Sequence, residues 1–140
     1  MPYSPRKKQA MFSHVAVGTN DLEKAKRFYD AVLGALHYGE GRNDDNELRR
    51  RYVYSTDAGL FFITQPLNLQ TATAGNGGTI GFTCQSIEQV DRWHAAGVAN
   101  GGESVEAPPG VRESKGGRLY LAYMRDPDGN KLCAVYRMPA

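Results

Sequence analysis

His14, Tyr123, Cys133 and the consecutive trio Arg49-Arg50-Arg51 are side chains able to bind or react, and strand alternation decides where each one points. Imidazole at His14 can serve as a base or as a hydrogen-bond donor to a ligand; equally, it can be satisfied by a neighbouring strand. A thiol beside an imidazole can become a reactive thiolate. No third orienting residue accompanies such a pair here, and a buried cysteine also serves as packing. Three successive arginines in a strand must alternate between faces. They read as a solvated edge or an interface, with one of them free to anchor an anion. The glycine segments Gly75–Gly78 and Gly116-Gly117 do not follow a strand to open a helix, so they read as linker and hairpin rather than phosphate loops.

The elements that position these groups come from periodicity. Phe12 to Val17 alternates as a strand, with Val15 and Val17 on a helix-covered side and His14 on the other. Asn20 and Glu23 have capping-box spacing, and Leu22, Ala25, Phe28, Tyr29, Val32 and Leu33 form one apolar helix face ending near Gly34. Strand-like stretches follow at Leu36–Gly39, Leu48–Tyr54 and Leu60–Thr64, the last two joined by a turn at Asp57-Ala58-Gly59.

The second half repeats this order. Thr79–Cys84 reads as a strand, Ser86 and Gln89 as a capping box, and Ile87, Val90, Trp93 and Val98 as a helix face stopped by Asn100-Gly101-Gly102. Leu119–Arg125 and Lys131–Arg137 are strands joined by Asp126-Pro127-Asp128-Gly129-Asn130. A shift of 65 residues superposes the halves without a gap from His14/Thr79 to Gly34/Ala99, aligning Val15 with Ile80, Leu22 with Ile87 and Phe28 with Trp93. The fold class is therefore α+β, with βαβββ occurring twice. A unit with one helix and a small sheet leaves a face uncovered, and pairing two of them encloses a cavity. On this alignment His94 matches Tyr29 on a helix surface or interface, and Trp93 is core. Cys84 faces the helix, out of parity with Cys133, which argues against a disulfide between them. The polar segment Glu106–Glu113 reads as a lid over the cavity.

Length and charge restrict the function classes. A chain of 140 residues fits one domain. Residues 1–10 carry Arg6, Lys7 and Lys8 without an acid, whereas the remainder holds 14 bases against 15 acids. The basic excess thus lies in a terminal extension, and the folded part offers no basic stripe for nucleic acid. The longest run of large apolar residues, Leu60 to Ile63, is far short of a membrane span. The basic start leads into no apolar stretch, so the expected location is cytoplasmic. Residues 11–140 are expected to form the domain, with modules at about 11–70 and 76–138.

Phe12-Ser13-His14-Val15-Ala16-Val17, Arg27-Phe28-Tyr29 and Arg125-Asp126-Pro127-Asp128-Gly129-Asn130 resemble the vicinal-oxygen-chelate superfamily, over about residues 11–138. Glyoxalase I, bleomycin-resistance proteins, fosfomycin-resistance enzymes and extradiol dioxygenases belong to it. The resemblance implies two tandem βαβββ modules with curved mixed sheets enclosing a cavity. It also implies a divalent metal held from the first and last strands of each module. Those positions fall on His14, on Thr79, on Phe61 or Phe62 according to register, and on Cys133 in place of a glutamate. His14 alone keeps a usual ligand. In fosfomycin-resistance relatives a tyrosine at the place of Tyr123 faces the ligand.

The reading that follows is a small-molecule-binding protein without the usual catalytic metal, like the bleomycin-resistance branch. Its cavity would hold His14, Phe61 or Phe62, Thr79, Tyr123 and Cys133, with catalytic residues unassigned and no cofactor expected. A homodimer is expected, as dimers in this family often build each cavity from both chains; His14 would then face Thr79 and Cys133 of the partner subunit. The alternative is a metal-dependent lyase or dioxygenase of the glyoxalase type with an altered metal site, in which His14 and Cys133 are ligands. A third reading is an interaction dimer with the basic extension as a docking arm.

Overall fold

The computed structural model describes residues 9–140; most of the basic extension, residues 1–8, lies outside the described residues. The first module runs β1 (His14–Gly18), α1 (Leu22–Gly34), β2 (Arg42–Asn43), β3 (Arg51–Thr56) and β4 (Gly59–Thr64). The second runs β5 (Ile80–Thr83), α2 (Ile87–Ala99), β6 (Glu103–Ser114), β7 (Gly117–Arg125) and β8 (Lys131–Arg137). Each module folds into a four-stranded sheet, in the orders β1-β4-β3-β2 and β5-β8-β7-β6. In both, the first strand runs parallel to the last and the other pairs are antiparallel. The duplicated order read from the sequence is thus the architecture.

Helix α1 buries Leu22, Ala25, Phe28, Tyr29, Val32 and Leu33, the face set by its periodicity. Helix α2 buries Gln89, Val90, Trp93 and Gly97. Val98, expected on that face, is exposed; its place is taken by Gly97, where a Cβ would overlap the Met124 side chain of β7 and lie 3.1 Å from Val32 Cγ1. The missing side chain makes room for Met124 beneath α2 and brings Val32 of α1 close, and Gln89 Nε2 donates to Ala35 O at 3.2 Å between the two helices' ends. One core then spans both modules, with Phe61 and Phe82 meeting at 5.9 Å between ring centroids.

Local chemistry moved several boundaries. The cap of α1 is Asp21, whose carboxylate accepts from Lys24 N at 3.1 Å. Asn20 instead accepts from Ala72 N and donates to Ala72 O, tying the inter-module linker to the helix start. Ser86 does cap α2, while Gln89 Oε1 accepts from Gln85 N, one residue earlier than a capping box requires. Leu36–Gly39 is a turn, not a strand: Tyr38 N donates to Leu33 O, His37 is left-handed at φ 68°, and Leu36 is buried.

Only Arg51 of the arginine trio is in a strand. Asn46 Oδ1 accepts from Leu48 N and Arg49 N, and Asp45 Oδ1 from Arg51 N, so side chains take backbone donors that a ladder would have used. The expected lid over Glu106–Glu113 is built into β6. Its register breaks between Val105 and Gly110, where Pro108 and Pro109 offer no N–H to the ladder. Glu106 has φ 59° in this bulge and places its carboxylate 2.5 Å from Lys131 Nζ.

Candidate functional site

The β1–β4 ladder sets His14 against Leu60 and Ala16 against Phe62. Opposite residues share a face, so Val15, Val17, Phe61 and Ile63 lie under the helices and His14, Ala16, Leu60 and Phe62 lie on the other side. That register separates the two phenylalanines. Phe61 is buried against Tyr29, Tyr54 and Phe82. Phe62 stands edge-on to His14, with ring centroids 5.9 Å apart. The His14 ring is exposed, and its Nδ1 is 2.7 Å from Ser13 Oγ.

In the second sheet Cys133 pairs with Gly81 on one side and Tyr123 on the other, so the three share the face turned away from α2. Cys133 is buried even so. Burial pushes its thiol above the ordinary value, while the Tyr123 hydroxyl opposes that shift through a hydrogen bond. Lys131 lies 4.8 Å from the centroid of the Tyr123 ring. Thr79 precedes β5 and is exposed, beside Asn130 and Lys131 in a shallow depression of about 290 Å³. Among the described residues no hydrogen bond joins His14 to Thr79 or Cys133. Within one chain, then, the structure brings His14 to Phe62 and Tyr123 to Cys133 as two separate pairs.

A groove of about 460 Å³ runs between the first module and β5. His14, Leu60, Phe61 and Phe12 line it from the first sheet and its approach, Tyr38 and Leu36 from the turn after α1, and Gly81 and Phe82 from β5. Its volume falls within the range of small-molecule sites, about 300–1,000 Å³. Its lining is largely apolar, with His14 the titratable group other than two tyrosines. Phe12, Tyr38, Leu36 and Phe82 were not foreseen as site residues. Phe12 has the alternation parity of His14, the signal that could have found it; Tyr38 carries none, and the turn at His37 brings it to the groove.

A catalytic divalent metal needs about three protein ligands. Of the positions at issue, His14 and Cys133 alone carry ordinary donors for such an ion, and Phe62 cannot coordinate. Among the described residues no three His, Cys, Asp or Glu side chains are grouped to hold a metal. The donor set of one chain does not fit the family's metal.

The Glyoxalase/Bleomycin resistance protein/Dioxygenase superfamily matches residues 11–134. The chain belongs to this superfamily. A glyoxalase/bleomycin resistance protein from Albidiferax ferrireducens T118 shares 59% identity with a TM-score of 0.84, over 91% of this chain and 99% of that one. A glyoxylase/bleomycin resistance protein/dioxygenase domain from Frankia sp. EAN1pec, at 16% identity and TM-score 0.71, covers 95% and 96% of the two chains and shares the fold. A provisionally named lactoylglutathione lyase of Brassica oleracea var. gemmifera is 24% identical over 136 residues, 96% of this chain. The chain spans about half of that relative, 47% of its length. This superfamily member has no helix among the described residues long and apolar enough to cross a membrane.

Proposed function

We propose that this superfamily member binds a small organic ligand in the groove beside His14, without the metal its relatives' chemistry requires. The groove itself carries the reading: an apolar trough of about 460 Å³ with an exposed imidazole at its rim. Aromatic walls supply area, and His14 supplies a directional hydrogen bond. Pairing of two copies over the open sheet faces belongs to the same proposal.

A thermal-shift screen of a small-molecule library tests it. Hits should lose their effect in Gly81→Leu, because a Cβ at Gly81 meets nothing within 4 Å and the added side chain fills the groove without a clash at its root. A screen with no hit, or hits that ignore the filled groove, would count against the reading. Metal analysis after reloading with nickel, zinc, iron or manganese tests the glyoxalase-type alternative. Near-stoichiometric metal that disappears in His14→Ala would favour the enzyme; no retained metal supports the binding protein.

A further inference from the structure

His14, Phe62 and Arg51 form a diagonal stripe across β1, β4 and β3, on the sheet face turned away from the helices. Phe62 pairs with Ala16 and Val53, while His14 and Arg51 each lie two residues along the neighbouring strand from those partners. The Arg51 guanidinium carbon sits 4.6 Å from the centroid of the Phe62 ring. Asp44 holds the guanidinium by one edge: Nε is 2.7 Å from Asp44 Oδ2 and donates to Asp44 O at 3.2 Å. Among the described residues neither Nη of Arg51 has a hydrogen-bond partner, which leaves four N–H donors of a half-buried guanidinium unclaimed. Arg42, opposite Val53, adds a second cation to the same face. A side chain stacked on a ring and pinned at Nε has lost its rotamer freedom before any ligand arrives, and such preorganised forks suit planar oxyanions.

We infer that the ligand is an aromatic carboxylate, or a similarly planar anion. Its ring lies across Phe62 beside His14, and its oxyanion is taken by the two Nη groups of Arg51. The ligand would extend onto the stripe from the groove's rim at His14 and Leu60, which share its sheet face; Phe62 and Arg51 themselves lie outside the groove's lining. The inference rests on the ligand-binding reading and adds the charge of the ligand and the residue that reads it.

The test uses 2-naphthoate and its neutral isostere 2-naphthamide, titrated calorimetrically into the full chain. The wild type is expected to bind the carboxylate about tenfold or more tightly than the amide. Arg51→Gln should remove that preference, and Phe62→Ala should weaken both probes. Arg118→Gln, an exposed arginine on the other sheet, serves as a charge control and should change neither. Thermal melts of each variant establish that it is folded. Equal binding of the two probes, or a preference that survives Arg51→Gln, overturns the anion inference and leaves the groove reading standing. Binding of neither probe overturns it too, and the library screen then decides independently whether the groove binds anything at all.

Discussion

The Tyr29 hydroxyl donates to the Asp126 carboxylate at 2.5 Å, buried between residues 97 positions apart. Asp126 accepts as well from Asp128 N, Asn130 N and Asn130 Nδ2, each at 2.9 Å. Asp128 Oδ1 in turn accepts from Asn20 N, and Asn130 Nδ2 lies 3.4 Å from Gly18 O. The Asp-Pro-Asp-Gly-Asn turn thus ties the end of the second module to the start of the first helix. Its conspicuous residues hold the modules together rather than line the groove.

Loss of that clasp should be costly. Burial, and then the neighbouring Asp126 charge, hold the Tyr29 phenol well above its ordinary pKa, so it remains a donor throughout the working range. Tyr29→Phe keeps the ring and removes one donor to a buried carboxylate. Urea unfolding should register a loss of about 1–3 kcal/mol. An unchanged midpoint would mean that the remaining donors satisfy Asp126 alone.

A second tie responds to acid. Asp30 accepts from Gly41 N, Lys26 Nζ and Tyr54 Oη. Burial by itself would raise its carboxyl, but these partners outweigh it and leave the pKa lowered. Because the folded group titrates below the unfolded one, its contribution is complete above the ordinary carboxylate pKa of about 3.9 and disappears as pH falls through the lower folded value. Asp30→Asn should therefore flatten the fall of thermal stability on that acidic side. A variant with an undiminished slope would assign the acid sensitivity to other groups.

Close packing at one glycine gives a steric prediction. A Cβ at Gly102 would lie 2.7 Å from Phe28 Cε2, 2.8 Å from Gly97 O and 2.9 Å from Met124 Sδ. The Gly97 carbonyl is backbone and cannot swing aside. Gly102→Ala is expected to cost about 1–3 kcal/mol by overpacking, read from chemical denaturation. A neutral result would show that α2 shifts freely against α1.

The thiols should be slow to react. Burial pushes Cys84 up to about 11, and burial likewise raises Cys133. With a thiol-disulfide reagent at pH 8 the native protein should release little thiolate at first, and both cysteines should react promptly in denaturant. One rapid equivalent from the native chain, absent in Cys133→Ser, would identify Cys133 as an accessible thiol.

The 65-residue repeat made the module order and both helices legible, because helix faces and strand alternation are local patterns that need no knowledge of the partner surface. The same repeat contained the correct cap: Ser86 aligns with Asp21, so the shift itself pointed one residue beyond Asn20. Tertiary structure decided what the pattern left open. Phe61 and Phe62 are chemically identical, and only the pairing of β1 with β4 sends one to the core and the other to the His14 face. Arg49, Arg50 and Arg51 look alike in sequence, yet Arg50 turns to Glu23 and Asp45 while Asp44 and the Phe62 ring hold the Arg51 guanidinium on the open sheet face. The supposed lid carries no alternation to mark it as a strand, and its pairing with β7 supplied what the sequence lacked. Local periodicity sets which elements form; register and long-range contacts set which side chains meet, and the groove is made by those meetings.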